Sequence, residues 1–137
     1  MSTRRDFLKG VGLATAGLTL TPGNVFAMTS KETKHAKGEK VKIAYIGIGN
    51  RGEQNINEFA KTSMVDVVAL CDVDLQGKQC QKVLAKYPNA KRYTDFRKLF
   101  EEYADHFDAV AVSTPDHTHF FVVMMAMKYG KHVYCEK

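Results

Sequence analysis

Three glycines and one acidic residue carry the clearest chemical signal in the sequence. The glycines lie in the segment Gly47–Gly52, which fits the pattern G-x-G-x-x-G, and Asp72 follows the last glycine after 20 residues. Glycines spaced in this way permit a tight turn, a close approach of the backbone to a pyrophosphate, and close packing of a helix on the preceding strand. The pattern therefore predicts a dinucleotide site, with the candidate ligands Gly47, Gly49, Asn50, Arg51 and Gly52.

Asp72 indicates which dinucleotide the site prefers. A carboxylate at the end of a predicted strand accepts hydrogen bonds from the adenosine ribose hydroxyls and repels a 2′-phosphate, so NAD is the expected cofactor. Arg51 leaves NADP open, because a guanidinium near the ribose accommodates a 2′-phosphate. The structural alternative for Asp72 is that it caps the next helix together with Asp74.

Two further polar segments follow predicted strands. Thr114–His119 comes after one strand, and Glu136 and Lys137 come after the next. Because ligands of an open parallel sheet bind outside the carboxyl ends of its strands, we expect these segments to share one edge with Gly47–Gly52 and Asp72. The cofactor-binding candidates in them are Thr114, Pro115, His117, His119 and Glu136.

Simpler interpretations apply to single residues of this edge. One alternative is that His117 or His119 caps the following helix, and another is that Lys137 is a solvated terminal residue. The three cysteines show no metal-ligand spacing with histidine, so no metal site is expected. We interpret them as small apolar residues, with a reactive thiol as the alternative.

The elements that must position these residues alternate between strands and helices. Apolar runs predict strands, and helical spacing predicts the segments between them. Such alternation is typical of an α/β fold with a doubly wound parallel sheet. Asp74 and Asp95 are the predicted N-caps, and the last helix, apolar nearly all round, is expected to be buried on two sides. The predicted strands are Val41–Gly47, Val65–Cys71, Ala90–Tyr93, Asp108–Ser113 and Lys131–Glu136, and the predicted helices are Gly52–Lys61, Asp74–Tyr87, Asp95–Tyr103 and His117–Tyr129.

The first 27 residues resemble a bacterial twin-arginine signal peptide. Arg4 and Arg5 precede Phe-Leu-Lys, a short apolar run follows, and small residues near residue 27 offer a cleavage site. The apolar run is too short to span a bilayer, so no membrane anchor is expected. Residues 28–40 are polar and predict a flexible leader, and the dinucleotide-binding domain is predicted over residues 41–137. We therefore expect the twin-arginine export machinery as a partner and the periplasm as the location.

Chain length and net charge limit the number of domains and the classes of binding partner. A chain of 137 residues suffices for one domain. Its formal net charge of +5 is spread without a basic block, so nucleic-acid binding is not expected.

The motif segments together resemble the Gfo/Idh/MocA oxidoreductase family. The similarity rests on Gly47–Gly52, Asp72, Thr114–His119 and the final segment 130–137. It implies a Rossmann domain, a second α/β domain that carries most of the substrate site and is absent from this chain, and a sugar- or polyol-like substrate. It also implies that Lys137 is catalytic, beside nicotinamide and substrate. On this basis we expect a fragment that is inactive alone, from a protein that forms a homo-oligomer at full length.

The same family contains exported members that keep NAD and hydrolyse glycosides by transient oxidation. That branch departs from Asp116-His117 and from the lysine of the Glu-Lys motif, and this sequence keeps both. The resemblance therefore favours an NAD(P)-dependent dehydrogenase. An NAD-dependent glycosidase and a non-catalytic dinucleotide-binding fragment are the alternatives.

Overall fold

The computed structural model describes residues 38–137, so the predicted signal peptide and most of the predicted leader lie outside the described residues. Within these residues, five strands alternate with four α-helices, and one 3₁₀ turn follows the third helix at Ala104–His106. The elements in chain order are β1 Val41–Ile46, α1 Arg51–Lys61, β2 Val65–Cys71, α2 Lys78–Lys86, β3 Lys91–Tyr93, α3 Phe96–Tyr103, β4 Ala109–Val112, α4 Asp116–Lys128 and β5 His132–Cys135.

The five strands form one parallel sheet in the order β3-β2-β1-β4-β5. This is the order of a Rossmann fold, in which the chain reverses its direction of winding at β1 and leaves a crevice between β1 and β4. The predicted doubly wound α/β fold is confirmed.

Helices cover both faces of the sheet because side chains alternate along β1. Tyr45 faces the cluster that contains Ile56 of α1 and Val83 of α2. Ile46 faces the cluster that contains Phe100 of α3 and Val122 of α4. Each helix thus buries one apolar stripe, and the polar ends of the strands are left at the sheet edge.

The start of α2 differs from the prediction. The helix begins at Lys78 and its N-cap is Gly77, which makes no side-chain capping bond, so the predicted cap at Asp74 is wrong. Asp74 lies in a turn, because its backbone N–H donates to Asp72 Oδ1 at 3.0 Å and its carbonyl accepts from the Gly77 N–H at 3.0 Å. The predicted cap of α3 is confirmed, since Asp95 Oδ1 accepts from the Arg97 N–H at 2.9 Å.

Helix α4 is buried on one side in the described chain. Val122 and Ala126 pack against the sheet, whereas the large apolar side chains on the other side are exposed, so the expected burial on two sides is not seen within residues 38–137. The exposed set is Phe120, Phe121, Met124 and Met127. None of the helices in this part of the chain has the length and apolar character that a membrane span requires.

Candidate cofactor-binding site

An open cleft of about 560 Å³ lies at the carboxyl ends of the central strands. Its volume falls within the range usual for small-molecule and cofactor sites. The cleft gathers residues from the turn after β1, the end of β2 and the turn after β4. Eight of the predicted site residues line it, namely Gly47, Gly49, Asn50, Arg51, Asp72, Thr114, Pro115 and His117.

The turn after β1 is closed by glycines that leave no room for a side chain. Gly47 has a φ of 81°, and a Cβ there would lie 2.8 Å from the Ser113 carbonyl and the Thr114 nitrogen. A Cβ on Gly52 would clash with the Gly47 carbonyl oxygen. The loop therefore packs against the end of β4, and α1 starts directly behind it. The first N–H groups of that helix provide the positive end that binds phosphate.

Gly49 is less tightly enclosed than the other two glycines. A Cβ on it would meet only the side chain of Gln79, at 2.7 Å. Gln79 lines the cleft and is itself held by Asp74, whose Oδ2 accepts from its amide at 3.1 Å. Gly49 is the residue predicted to face the pyrophosphate, and the group that lies nearest to it is a flexible side chain and not backbone.

Asp72 is fixed by backbone groups and also lines the cleft. Its Oδ2 accepts from the Ile48 N–H at 2.9 Å, and its Oδ1 accepts from the Asp74 N–H at 3.0 Å. A carboxylate has about four acceptor positions, so two bonds leave capacity for ribose hydroxyls. Since the turn around Asp74 ends before α2 begins, Asp72 does not cap that helix.

Arg51 points its guanidinium to the β5 side of the site. Nε donates to Glu136 Oε2 at 2.5 Å, and Nη2 donates to Glu136 Oε1 at 3.2 Å. This two-pronged geometry is the strong form of an arginine–carboxylate pair. Hydrogen bonding to Glu136 raises the pKa of Arg51, and the same bond lowers the pKa of Glu136. The guanidinium is engaged two strands away from β1, so the expectation that it receives a 2′-phosphate beside Asp72 has no support in this geometry.

Glu136 belongs to a polar network and is not among the residues that line the cleft. Besides Arg51, its carboxylate accepts from the Tyr134 hydroxyl at 3.3 Å. On the same helix as Arg51, Asn55 donates from Nδ2 to Ser113 Oγ at 2.9 Å. Its role as a cofactor ligand stays a prediction, and the contacts that the structure gives it are structural.

Asn55 and Ser113 were missed by sequence reasoning. A signal was available for Asn55, because it lies four residues after Arg51 on the same helical face and beside the buried Ile56. A polar side chain on a buried helical face needs a partner, which marks it as a candidate for a network. Ser113 carried no such signal, since serine after a strand is common in turns.

The turn after β4 separates the two histidines. His119 Nε2 lies 2.6 Å from the Thr114 carbonyl oxygen, so this ring closes the first turn of α4 and does not line the cleft. His117 is exposed and lines the cleft. Thr114 Oγ1 is buried without a hydrogen-bond partner in the part of the chain that the structure describes, and Thr114 also lines the cleft. A bound ligand would supply that missing partner.

Lys137 is exposed beyond the end of β5 and does not line the cleft. Its predicted catalytic role therefore stays a prediction. The thiols of Cys71 and Cys80 are buried, and burial raises the pKa of Cys71 to about 12 and of Cys80 to about 11, so neither is a reactive thiolate. Cys135 is exposed, unlike the other two. No cluster of His, Cys, Asp and Glu suited to a metal ion occurs within residues 38–137.

The glycine loop, the fixed carboxylate and the unpartnered Thr114 hydroxyl together fit a dinucleotide. A family model described as an oxidoreductase family with an NAD-binding Rossmann fold matches residues 41–137. The chain belongs to this family, Gfo/Idh/MocA. NAD is thereby confirmed as the cofactor class of the domain, and the expected family is confirmed.

The proteins to which the chain is similar are named either as glycosidases or as dehydrogenases. A glycosyl hydrolase family 109 protein of Solibacter usitatus is 34% identical over 152 residues, which cover 98% of this chain and 32% of that protein. An alpha-N-acetylgalactosaminidase of Shewanella oneidensis is 30% identical over 97% of this chain and 33% of that protein. The solved myo-inositol 2-dehydrogenase of Lactobacillus plantarum has a TM-score of 0.63 and 25% identity over 72% of this chain and 28% of that one. The chain spans about a third of the length of these curated relatives.

Proposed function

We propose that the chain is the cofactor-binding part of an NAD-dependent dehydrogenase. The enzyme moves a hydride between C4 of the nicotinamide and a carbinol carbon of a sugar- or polyol-like substrate. The bound cofactor supplies the hydride chemistry, and this chain's residues bind and orient it. Asp72 takes the ribose hydroxyls, and the N-terminus of α1 takes the pyrophosphate.

The observation that carries the proposal is the ion pair of Glu136 with Arg51, next to Lys137 in the chain. The Glu136 carboxylate is engaged by Arg51, and within residues 38–137 no carboxylate side chain forms an ion pair with Lys137. The ammonium group of Lys137 is therefore available to orient a substrate hydroxyl and to stabilise negative charge that develops on its oxygen.

A cofactor-turnover assay tests this function. The full-length protein that contains this chain is purified and incubated with NAD and a panel of cyclic polyols and sugars, and NADH formation is followed by absorbance. We expect NADH with at least one cyclic polyol in the parent, and formation slower by about 10²–10³-fold in Lys137→Met. A parent protein that binds NAD but reduces none of it on any member of the panel would count against the dehydrogenase.

A second candidate is an NAD-dependent glycosidase, which the names of the curated relatives favour. Such an enzyme oxidises and re-reduces its substrate, so it leaves no net NADH. Release of a chromogenic aglycone from an α-N-acetylgalactosaminide, without NADH accumulation, would support it. The retained Asp116-His117 and Lys137 favour the dehydrogenase between the two.

The proposal includes export in a folded state. The twin-arginine route carries folded proteins, and a tightly held NAD loaded before export fits a compartment that has no free pool of the cofactor. If Arg4 and Arg5 form the export signal, replacing both with lysine should retain the protein in the cytoplasm with residues 1–27 uncleaved. Fractionation and mass spectrometry check this, and mature protein in the periplasmic fraction of the double variant would refute it.

A further inference from the structure

A second carboxylate follows Asp72 at the β2 end of the cleft. Asp74 lines the cleft as Asp72 does, and its backbone N–H donates to Asp72 Oδ1 at 3.0 Å. Its carbonyl accepts from the Gly77 N–H at 3.0 Å. One tight turn therefore carries both carboxylates, and the binding of ribose hydroxyls by Asp72 does not use the second one.

The Asp74 side chain lies against the start of α2. A Cβ on Gly77, the N-cap of that helix, would collide with Asp74 Oδ2 and with Gln79 Nε2. Gln79 Nε2 donates to the same carboxylate oxygen at 3.1 Å. The missing side chain at Gly77 thus makes room for this hydrogen bond, and the bond keeps the Asp74 carboxylate at the N-terminus of α2.

A carboxylate in this place changes what the helix end attracts. The N-terminus of a helix favours anions, because its first N–H groups have no partner in the helix and its dipole is positive there. The first turn of α2 contains no acidic residue of its own, so the carboxylate that lies against its N-cap comes from Asp74. An anion that approaches the start of α2 therefore meets a negative charge.

Basic side chains do not offset the two carboxylates. Within residues 38–137, no ion pair joins Asp72 or Asp74 to a lysine or an arginine. Of the described residues that line the cleft, only Arg51 carries a guanidinium, and Glu136 engages it on the β5 side. Lys78, the first residue of α2, is exposed and does not line the cleft. The β2 end of the cleft is thus negatively charged.

We propose that Asp74 is a second specificity-determining residue, which excludes a 2′-phosphate and so makes the site selective for NAD over NADP. The inference rests on the proposed function, because it takes Asp72 as the residue that binds the adenosine ribose. In NADP a phosphate replaces one hydrogen of those ribose hydroxyls, so it meets the turn that carries Asp74. Asp72 binds the hydroxyls that NAD presents, whereas Asp74 acts on the charge that NADP adds.

Asp74→Asn removes the charge and keeps the shape of the side chain. The asparagine amide oxygen still accepts from Gln79, so the turn is preserved. NAD and NADP are titrated by calorimetry into the full-length protein that contains this chain, as parent and as variant, in about 0.1 M salt. We expect NADP to bind the variant about fivefold to tenfold more tightly than the parent, the effect of a doubly charged phosphate about 5 Å from a removed charge in a water-like dielectric. The affinity for NAD should change by less than about twofold.

The salt dependence distinguishes a charge effect from a change of shape. The Debye length is about 10 Å at 0.1 M ionic strength and about 3 Å at 1 M, so high salt screens the repulsion between Asp74 and the phosphate. At 1 M salt, the NADP affinities of the variant and the parent should agree to within about twofold. The ratio of the two NAD affinities should stay near one at both salt concentrations.

Asp66→Asn is the matched control. It removes the same charge from the same strand, but Asp66 is exposed near the start of β2, six residues before Asp72. Six residues of a strand span about 20 Å, which is about twice the Debye length at 0.1 M salt. Both dinucleotides should bind this variant as they bind the parent. If Asp74→Asn yields no folded protein, Asp74→Ser replaces it under the same criteria, because a hydroxyl also accepts a hydrogen bond and carries no charge.

The outcomes distinguish this inference from the proposed function. A gain in affinity for NADP alone, lost at 1 M salt, supports exclusion by Asp74. An unchanged NADP affinity, an equal change for both dinucleotides, a gain that persists at 1 M salt, or the same gain in Asp66→Asn would each overturn it. A parent protein that binds neither dinucleotide would overturn the proposed function itself, and the inference with it.

Discussion

The two sides of β1 hold their charged groups by different means. On the β2 side, the Asp72 carboxylate is fixed by backbone N–H groups of Ile48 and Asp74. On the β5 side, the Glu136 carboxylate is fixed by side chains, with Arg51 as its main partner. Backbone donors persist whatever the neighbouring side chains are, whereas a side-chain network depends on each member. Under the proposed function, the β2 side is the binding side, where the adenosine ribose is held, and the β5 side is where the chemistry takes place.

Chemistry is expected on the β5 side, and Lys137→Met tests this with the largest expected effect. If the lysine stabilises charge in the transition state, kcat should fall about 10²–10³-fold, which corresponds to roughly 2.7–4 kcal/mol. Binding of NAD should change little, because the Asp72 side is untouched. Steady-state kinetics of the full-length protein on a polyol substrate, with NAD titration as the control, provide the measurement. A raised KM with an intact kcat would instead assign Lys137 to substrate binding alone.

Asp72→Ala tests the binding side. Loss of hydrogen bonds to the ribose should weaken NAD by roughly 1.5–3 kcal/mol and leave NADP unchanged or improved, since a charge that repels the 2′-phosphate is removed. Titration of both dinucleotides measures the effect. Equal losses for NAD and NADP would show that Asp72 acts only by anchoring the turns around Ile48 and Asp74.

Gly52→Ala tests whether the glycine loop depends on close packing. The added Cβ meets the Gly47 carbonyl oxygen, which is backbone and has little freedom to move. We expect a loss of unfolding free energy of about 1–3 kcal/mol, typical of overpacking, and weaker NAD binding. Gly49→Ala is the comparison, because there the new Cβ meets only the flexible Gln79 side chain. Thermal unfolding of both variants should rank Gly52→Ala as the less stable, and the reverse order would contradict the assignment.

Periodicity and motif spacing were sufficient for the sheet and for the position of Gly47 and Asp72 at one cleft. The strands and the glycine motif depend on local sequence, and the motif and Asp72 each directly follow a strand. The start of α2 was misplaced because Asp74 satisfies its N–H with Asp72 and not with a helix. The Arg51–Glu136 pair joins residues 85 apart, and local patterns carry no information on which distant side chains meet. On the β5 side, the sequence therefore predicted candidate site residues but not the hydrogen bonds that join them.

Glu136→Gln gives the smallest expected effect and concerns the pH dependence of stability. Hydrogen bonding to Arg51 holds the pKa of Glu136 below its ordinary value of 4.5. A carboxyl group whose pKa is lower in the folded state stabilises the protein above the unfolded-state pKa, and this contribution is lost as the pH falls through the folded-state value. The melting temperature of the parent should thus exceed that of Glu136→Gln near neutral pH, and the difference should shrink below about pH 4. Arg51→Gln should reproduce the neutral-pH loss, and combining the two substitutions should add little to either. A difference that stays constant across this pH range would show that Arg51 does not hold the Glu136 charge.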